Sequence, residues 1–344
     1  MKFAFIADIH LSKYAQDKRE ETSNLPERLH SIKSALYEVA DYCKRNNIHV
    51  MIIGGDILHG KSIIYAIAQD IMLQFFEDFN NAIQFYVIDG NHDLSGKGED
   101  VVSALRPLAN IHGVEWINHT NKHRVIQPEG IMFIPYSHDV AQDVKSAKSR
   151  ILISHFGLSE GVLNSGMSII QDISVKDLIG KYELVLLGHY HKPQYINRSD
   201  IQLYYVGSLI QLSWGEKGEE KRFLVVETDT LKVDSIPITQ YRKHIEIEIT
   251  PDTKTAAILQ AQQAIDAGDH VKIVMKETVD MTDYKGKFNI VDKTEKDITD
   301  RGISSSMSMS DIHTRYMEIK QIPEDQRELY LREGMEIINE CEGE

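Results

Sequence analysis

The chain has 344 residues, 42% of them hydrophobic and 26% charged, which is ordinary globular composition and, at about 150 residues per domain, suggests two domains. Asp and Glu number 52 against 38 Lys and Arg, a formal charge of −14. That balance excludes a free-standing basic DNA-coating protein, but not a nucleic-acid enzyme that meets phosphate through metal ions or a partner. The two cysteines, Cys43 and Cys341, exclude a disulfide scaffold and a cysteine-built zinc site. The N-terminal apolar stretch is short and interrupted by Asp8 and His10, a poor signal peptide, and no run of about 18 apolar residues exists to span a membrane. The expectation is a soluble, intracellular protein. Histidine, at 15 residues, is abundant.

In chain order, residues 2–8 form an apolar run ending in a carboxylate, the pattern of a buried strand. The charged residues 17–21 read as a solvated loop. Leu29, Ile32, Leu36, Val39 and Cys43 fall three and four apart and predict a helix face. Residues 49–56 are a strand entering a Gly-Gly turn. Residues 62–79 have helical period but are apolar nearly all round, which suits deep burial or an interface. A third strand, residues 84–89, ends at Gly90-Asn91-His92-Asp93. Further strands are expected at residues 131–135, 151–154, 184–187, 203–206 and 223–227. The alternation of strands and helices predicts a layered α/β domain with its site at the C-terminal strand ends. Beyond residue 243 the texture changes. Residues 244–250 alternate strictly, 254–267 are helical and 270–276 alternate again, predicting a small α+β cap domain over 244–296. A serine-rich linker (297–310) and a helical tail (311–344) with an apolar stripe at Leu331, Met335 and Ile338 follow.

Five clusters carry chemistry, each after a strand: Asp8-Ile9-His10, Gly54-Gly55-Asp56, Gly90-Asn91-His92-Asp93, Ser154-His155 and Gly188-His189-Tyr190-His191. In D-x-H and H-x-H, residues two apart point the same way if the backbone is extended, so both can reach one ion. The glycines allow sharp turns and close approach. The donors are oxygen and nitrogen without thiolate, a set suited to manganese, iron or zinc rather than calcium. Taken singly, D-x-H and GGD are more often turns, and His155 or His59 alone reads as a strand-end or turn histidine. Asp93 serves equally well as a turn cap or as an orienter of an imidazole. Lys13, Lys18, Arg19, Lys61, Lys97, Lys192 and Arg198 lie in or beside these loops, though each alone reads as an ordinary solvated residue.

The order D-x-H, G-D, G-N-H-D, H, G-H-x-H resembles the calcineurin-like metallophosphoesterase superfamily over residues 1–235. The resemblance implies a β-sandwich flanked by helices and two divalent metal ions. Asp56 would bridge them. Asp8, His10 and His191 would complete one site, and Asn91, His155 and His189 the other. His92 would be the general acid or a stabiliser of the scissile phosphate. Two such ions activate a water and neutralise phosphate oxygens. The stretches MKFAFIADIHLSKY, GGDILHGK, Phe133–Tyr136 and Tyr205–Ser208 further resemble the nuclease subunit of SbcCD-type exonucleases, which is also the meiotic-recombination nuclease family. In that family the match to His59 contacts phosphate. That resemblance implies Mn2+, single- and double-stranded DNA as substrates, and homodimerisation. It also implies a phosphoesterase domain over 1–243 and docking of the C-terminal helices on an SbcC-like coiled-coil ABC ATPase. A chain this short resembles the compact bacteriophage versions, which implies the cytoplasm of a bacterial cell or a phage-infected host. The leading expectation is therefore a manganese-dependent exonuclease and endonuclease of DNA repair or recombination. A nucleotide phosphodiesterase on the same site is the alternative, and a silent scaffold would have lost ligands that are present here.

Overall fold

The computed structural model describes residues 1–13, 23, 25–60, 63–95, 101–118, 121–198, 200–284, 286–293, 307, 309–324, 326–327 and 329–334. It divides into two compact units, residues 1–211 with 219–242, and residues 212–218 with 243–344.

In the first unit, two six-stranded sheets pack face to face. One runs Lys232–Pro237, Arg222–Glu227, Lys2–Ile6, Val50–Ile53, Gln84–Ile88, Val114–Ile117. The other runs Gln194–Arg198, Ile201–Tyr205, Leu184–Gly188, Ile151–His155, Ile131–Ile134, Arg124–Ile126. The central strands of each are parallel, and their sequences are near-continuous Val, Ile, Leu and Phe because both faces are covered. Phe3, Phe5, Ile52 and Leu224 of the first sheet interlock with Phe133, Ile151, Ile153 and Leu186 of the second, all fully buried. The expected layered α/β fold is thus a two-sheet sandwich flanked by helices.

The Glu27–Arg45 helix buries the predicted stripe Leu29, Ile32, Leu36, Val39 and Cys43. The helix expected from residue 62 begins at Ala66 and is amphipathic. It buries Ala68, Ile71, Met72, Phe75, Phe76 and Phe79, while Asp70, Gln74, Glu77 and Asp78 stay exposed. Edge-to-face contact of Phe76 with Phe85, ring centres 5.0 Å apart, seats it on the first sheet. Ile63, Ile64 and Tyr65 precede the helix in non-helical backbone and are exposed.

In the second unit, parallel strands His244–Ile249, His270–Met275 and Asn289–Asp292 carry the Lys254–Asp266 helix on one face, over Ile247, Ile249, Val271 and Ile273. The Met309–Ile319 helix follows. Most of the serine-rich segment, and Met335 and Ile338 of the tail stripe, lie outside the described residues, as do residues 17–21, Lys61 and Lys97. Among the described residues no helix is long and apolar enough to cross a membrane.

Candidate metal centre

Parallel strands put their C-terminal ends at one edge, so the loops after Ile6, Ile53 and Ile88 of one sheet meet those after His155 and Gly188 of the other. All nine candidate residues come together there. Asp8, His10, Asp56 and His155 are at most 2% exposed. Three groups of donors converge within 4.8 Å: Asp8, His10 and His191; Asp8, Asp56 and His155; and His10, His59 and His92. His10 Nε2 lies 3.0 Å from His191 Nε2 and 3.6 Å from Asp56 Oδ2. His155 Nε2 is 3.3 Å from Asp56 Oδ2 and 3.1 Å from Asn91 Oδ1, and His189 Nδ1 is 3.1 Å from the same amide oxygen. Asp56 therefore stands between a His10/His191 side and a His155/His189/Asn91 side.

The backbone reaches this arrangement differently from the expectation of extended D-x-H and H-x-H segments. Asp8, His10 and Asp56 adopt φ of 52°, 53° and 53°, and His189 adopts 98°. The donors converge through left-handed turns that non-glycine residues rarely occupy, and the loops hold that strain in place. Asp93 does much of the holding. Its Oδ2 accepts from the backbone N–H of Asp56 (2.7 Å) and Gly90 (2.9 Å), and its Oδ1 from Leu58 N–H (2.9 Å). This role lies beyond the turn cap or imidazole orienter expected of it: its carboxylate fastens the GGD turn to the GNHD turn. Gly90 is obligatory at this junction, since a Cβ there would lie 2.1 Å from Asp56 Oδ1. Asp8 accepts from His189 N–H at 2.9 Å, joining the first motif to the last.

Hydrogen bonds fix how each imidazole presents itself. His155 Nδ1–H donates to Gly54 carbonyl at 2.7 Å, which turns Nε2 toward Asp56 and Asn91. His10 Nδ1 meets His59 Nδ1 at 3.0 Å, which turns its Nε2 inward. His92 Nδ1–H donates to His59 carbonyl at 2.9 Å, and the His92 and His59 rings stack with centres 4.9 Å apart. Burial, reinforced by the charge of His92, lowers His59 to a pKa of about 4; burial and His155 lower His189 to about 3. Burial works to lower His155 as well, but the charge and hydrogen bond of Asp56 prevail and raise it to about 9.

The donor set fits divalent cations: two buried carboxylates, one amide oxygen and four imidazoles, with no thiolate and with inward nitrogens close enough to share one ligand. In the metal-free chain the His155–Asp56 pair holds a proton where an ion would sit. Mn2+ uptake at pH 7.5 is therefore expected to release about one proton per chain. Calorimetry in buffers of different ionisation enthalpy reads this directly; uptake without proton release would refute the assignment of Nε2 of His155 as a metal donor.

A sandwich of this topology with such a centre at the strand ends defines a metal-dependent phosphoesterase. The chain belongs to the calcineurin-like phosphoesterase family, which matches residues 1–193. It is 24% identical over 226 residues to an uncharacterised protein of Acanthamoeba polyphaga mimivirus, covering 61% of this chain and 16% of that protein. It is 22% identical over 202 residues to a protein named as a phosphoesterase in Invertebrate iridescent virus 6, covering 54% of this chain and 66% of the relative. The chain thus matches less than two thirds of the length of each. A dimetal phosphatase from Danio rerio is similar at 11% identity and a TM-score of 0.40, covering 69% of this chain and 99% of that one.

Proposed function

We propose that this metallophosphoesterase is the nuclease component of a DNA repair or recombination assembly, cleaving phosphodiester bonds with two divalent ions, Mn2+ first among them. The observation that carries the reading is the stacked pair His59 and His92 beside His10, two imidazoles beyond the proposed ligand set. Asp8, His10 and His191 would hold one ion, Asn91, His155 and His189 the other, with Asp56 shared. When bound, the ions supply positive charge against the phosphate oxygens and acidify water. His59, neutral at working pH, donates a hydrogen bond to a phosphate oxygen. His92 has its Nδ1–H committed to the His59 carbonyl, so its Nε2 is the atom that hands a proton to the leaving oxygen.

DNA is favoured over a free nucleotide because a second compact unit follows residue 242, and hydrolysis of a small diester needs none. Tyr316, Ile319, Leu329 and Tyr330 of the C-terminal helical segment are exposed, which suits docking on a coiled-coil ABC ATPase. A homodimer and a cytoplasmic setting complete the proposal. The test is incubation of the Mn2+-loaded chain, alone and with such an ATPase, with end-labelled duplex and single-stranded DNA and with cyclic nucleotides. DNA cleavage is expected. Turnover of cyclic nucleotides well above that of both DNAs would instead make the chain a nucleotide phosphodiesterase.

A further inference from the structure

Lys221 stands just before the Arg222–Glu227 strand and is completely buried, a rare situation for a lysine. Its Nζ donates to Glu219 Oε2 at 2.8 Å and to the backbone carbonyl of His191 at 3.1 Å. Glu219 is itself anchored: Asn164 Nδ2 donates to both its carboxylate oxygens at 3.3 and 3.4 Å, and Gln211 Nε2 donates to its carbonyl at 2.8 Å. The Lys221 main chain is tied as well, its carbonyl accepting from Ile238 N–H at 2.8 Å. A methionine would fill the same space without desolvating a charge, so packing alone gives no reason for a lysine here.

We propose that Lys221 is a positioning residue for His191. Its amino group, braced by Glu219, clamps the His191 carbonyl and thereby aims the imidazole at the ion shared with Asp8 and His10; this rests on the two-ion reading of the centre. The carbonyl also accepts from Ser208 N–H at 3.0 Å, so the peptide after His191 is gripped from two directions. Gly207, at φ +84°, allows that approach, because a Cβ there would lie 2.7 Å from the same oxygen. With the peptide fixed, His191 keeps its Nε2 at 3.0 Å from His10 Nε2, where both can reach one cation. The opposite side of the centre is oriented by other contacts, Gly54 carbonyl for His155 and Asn91 for His189. The effect of losing the clamp is accordingly one-sided.

The test compares the full chain with the double variant Lys221→Met/Glu219→Gln, which removes both charges at nearly constant volume, and with Glu219→Gln alone. Mn2+ binding is measured by calorimetry, and spin coupling between the two ions by electron paramagnetic resonance. The double variant is expected to keep one ion at wild-type affinity and to bind the other about 10- to 100-fold more weakly, the range for loss of a ligand's outer support. The coupled signal then gives way to that of an isolated Mn2+. Wild-type affinity for both ions overturns the proposal. So does equal weakening of both with a matching fall in metal-free thermal stability, which would make Lys221 merely structural. If the double variant does not fold, Glu219→Gln decides: weakening confined to one ion supports the clamp, and unchanged or uniform binding refutes it. A wild type that takes up a single ion would overturn the two-ion reading itself, and the proposal with it, before any variant is made.

Discussion

Asp56→Asn is expected to strip both ions from the chain and to lower phosphodiester turnover by more than about 10³-fold, or about 4 kcal/mol of barrier. Asparagine has nearly the same shape, so the substitution removes charge rather than volume. Burial by itself would raise the Asp56 pKa. The charge and hydrogen bond of His155, then His92 and His10, hold it well below the usual carboxylate range. One oxygen faces His155 at 3.3 Å and His10 at 3.6 Å, one from each side of the centre. The other accepts from His92 N–H at 2.8 Å, so the same side chain also sets the position of His92. In the proposed centre both ions would thus draw on one buried carboxylate, and neither would have a nearby substitute that is not already used. Elemental analysis after desalting, with turnover in excess Mn2+, checks this. Retention of two ions with only a few-fold loss of rate would show that Asp56 is not shared.

The proposed chemistry was more legible in the sequence than the edges of the fold. Each motif follows a central strand whose residues are apolar on both faces, and such runs declare themselves. Within the two six-stranded sheets, the strands that periodicity did not reveal are Val114–Ile117, Arg124–Ile126, Gln194–Arg198 and Lys232–Pro237, and these are their four outer strands; Asn289–Asp292, also unpredicted, is likewise at the edge of its sheet. An edge strand covers little core and admits charges such as Arg124, Arg198 and Lys232, so neither a continuous apolar run nor clean alternation marks it. The start of the second helix was misplaced for a related reason. Ile63, Ile64 and Tyr65 extend its apolar period, yet they are exposed and non-helical, and only the turns from Ala66 onward meet the sheet.

At the site, which residues gather was legible in the sequence and their geometry was not. Asp8 and His10 converge because both sit at positive φ, a conformation imposed by contacts from distant loops. Asp8 N–H and Ile9 N–H donate to the carbonyls of Gly55 and Asp56 at 3.1 and 2.8 Å, so the first motif is shaped by the second. No local rule for D-x-H contains that information. Lys221 is the clearest omission. In the run Glu216 to Arg222 it reads as one charge among many on a solvated turn, and only the fold reveals that its amino group lies inside, against His191.

His92→Ser is expected to leave two ions bound and to lower cleavage of DNA by about 10² to 10⁴-fold, the span of a lost general acid. The ring lies outside the proposed ligand set, and its orientation comes from the carbonyl of His59 and from stacking on the His59 ring, so its removal spares the donors of both ions. Serine is too short to reach a leaving oxygen from the same backbone position. The role makes a sharper demand than loss of activity. A diester of p-nitrophenol expels a stable anion that needs no proton, whereas a deoxyribose alkoxide needs one. The variant should therefore lose much less activity on the nitrophenyl diester than on DNA. Equal losses on both substrates would reassign His92 from proton donor to phosphate holder, since support for the phosphate itself is needed whichever group departs.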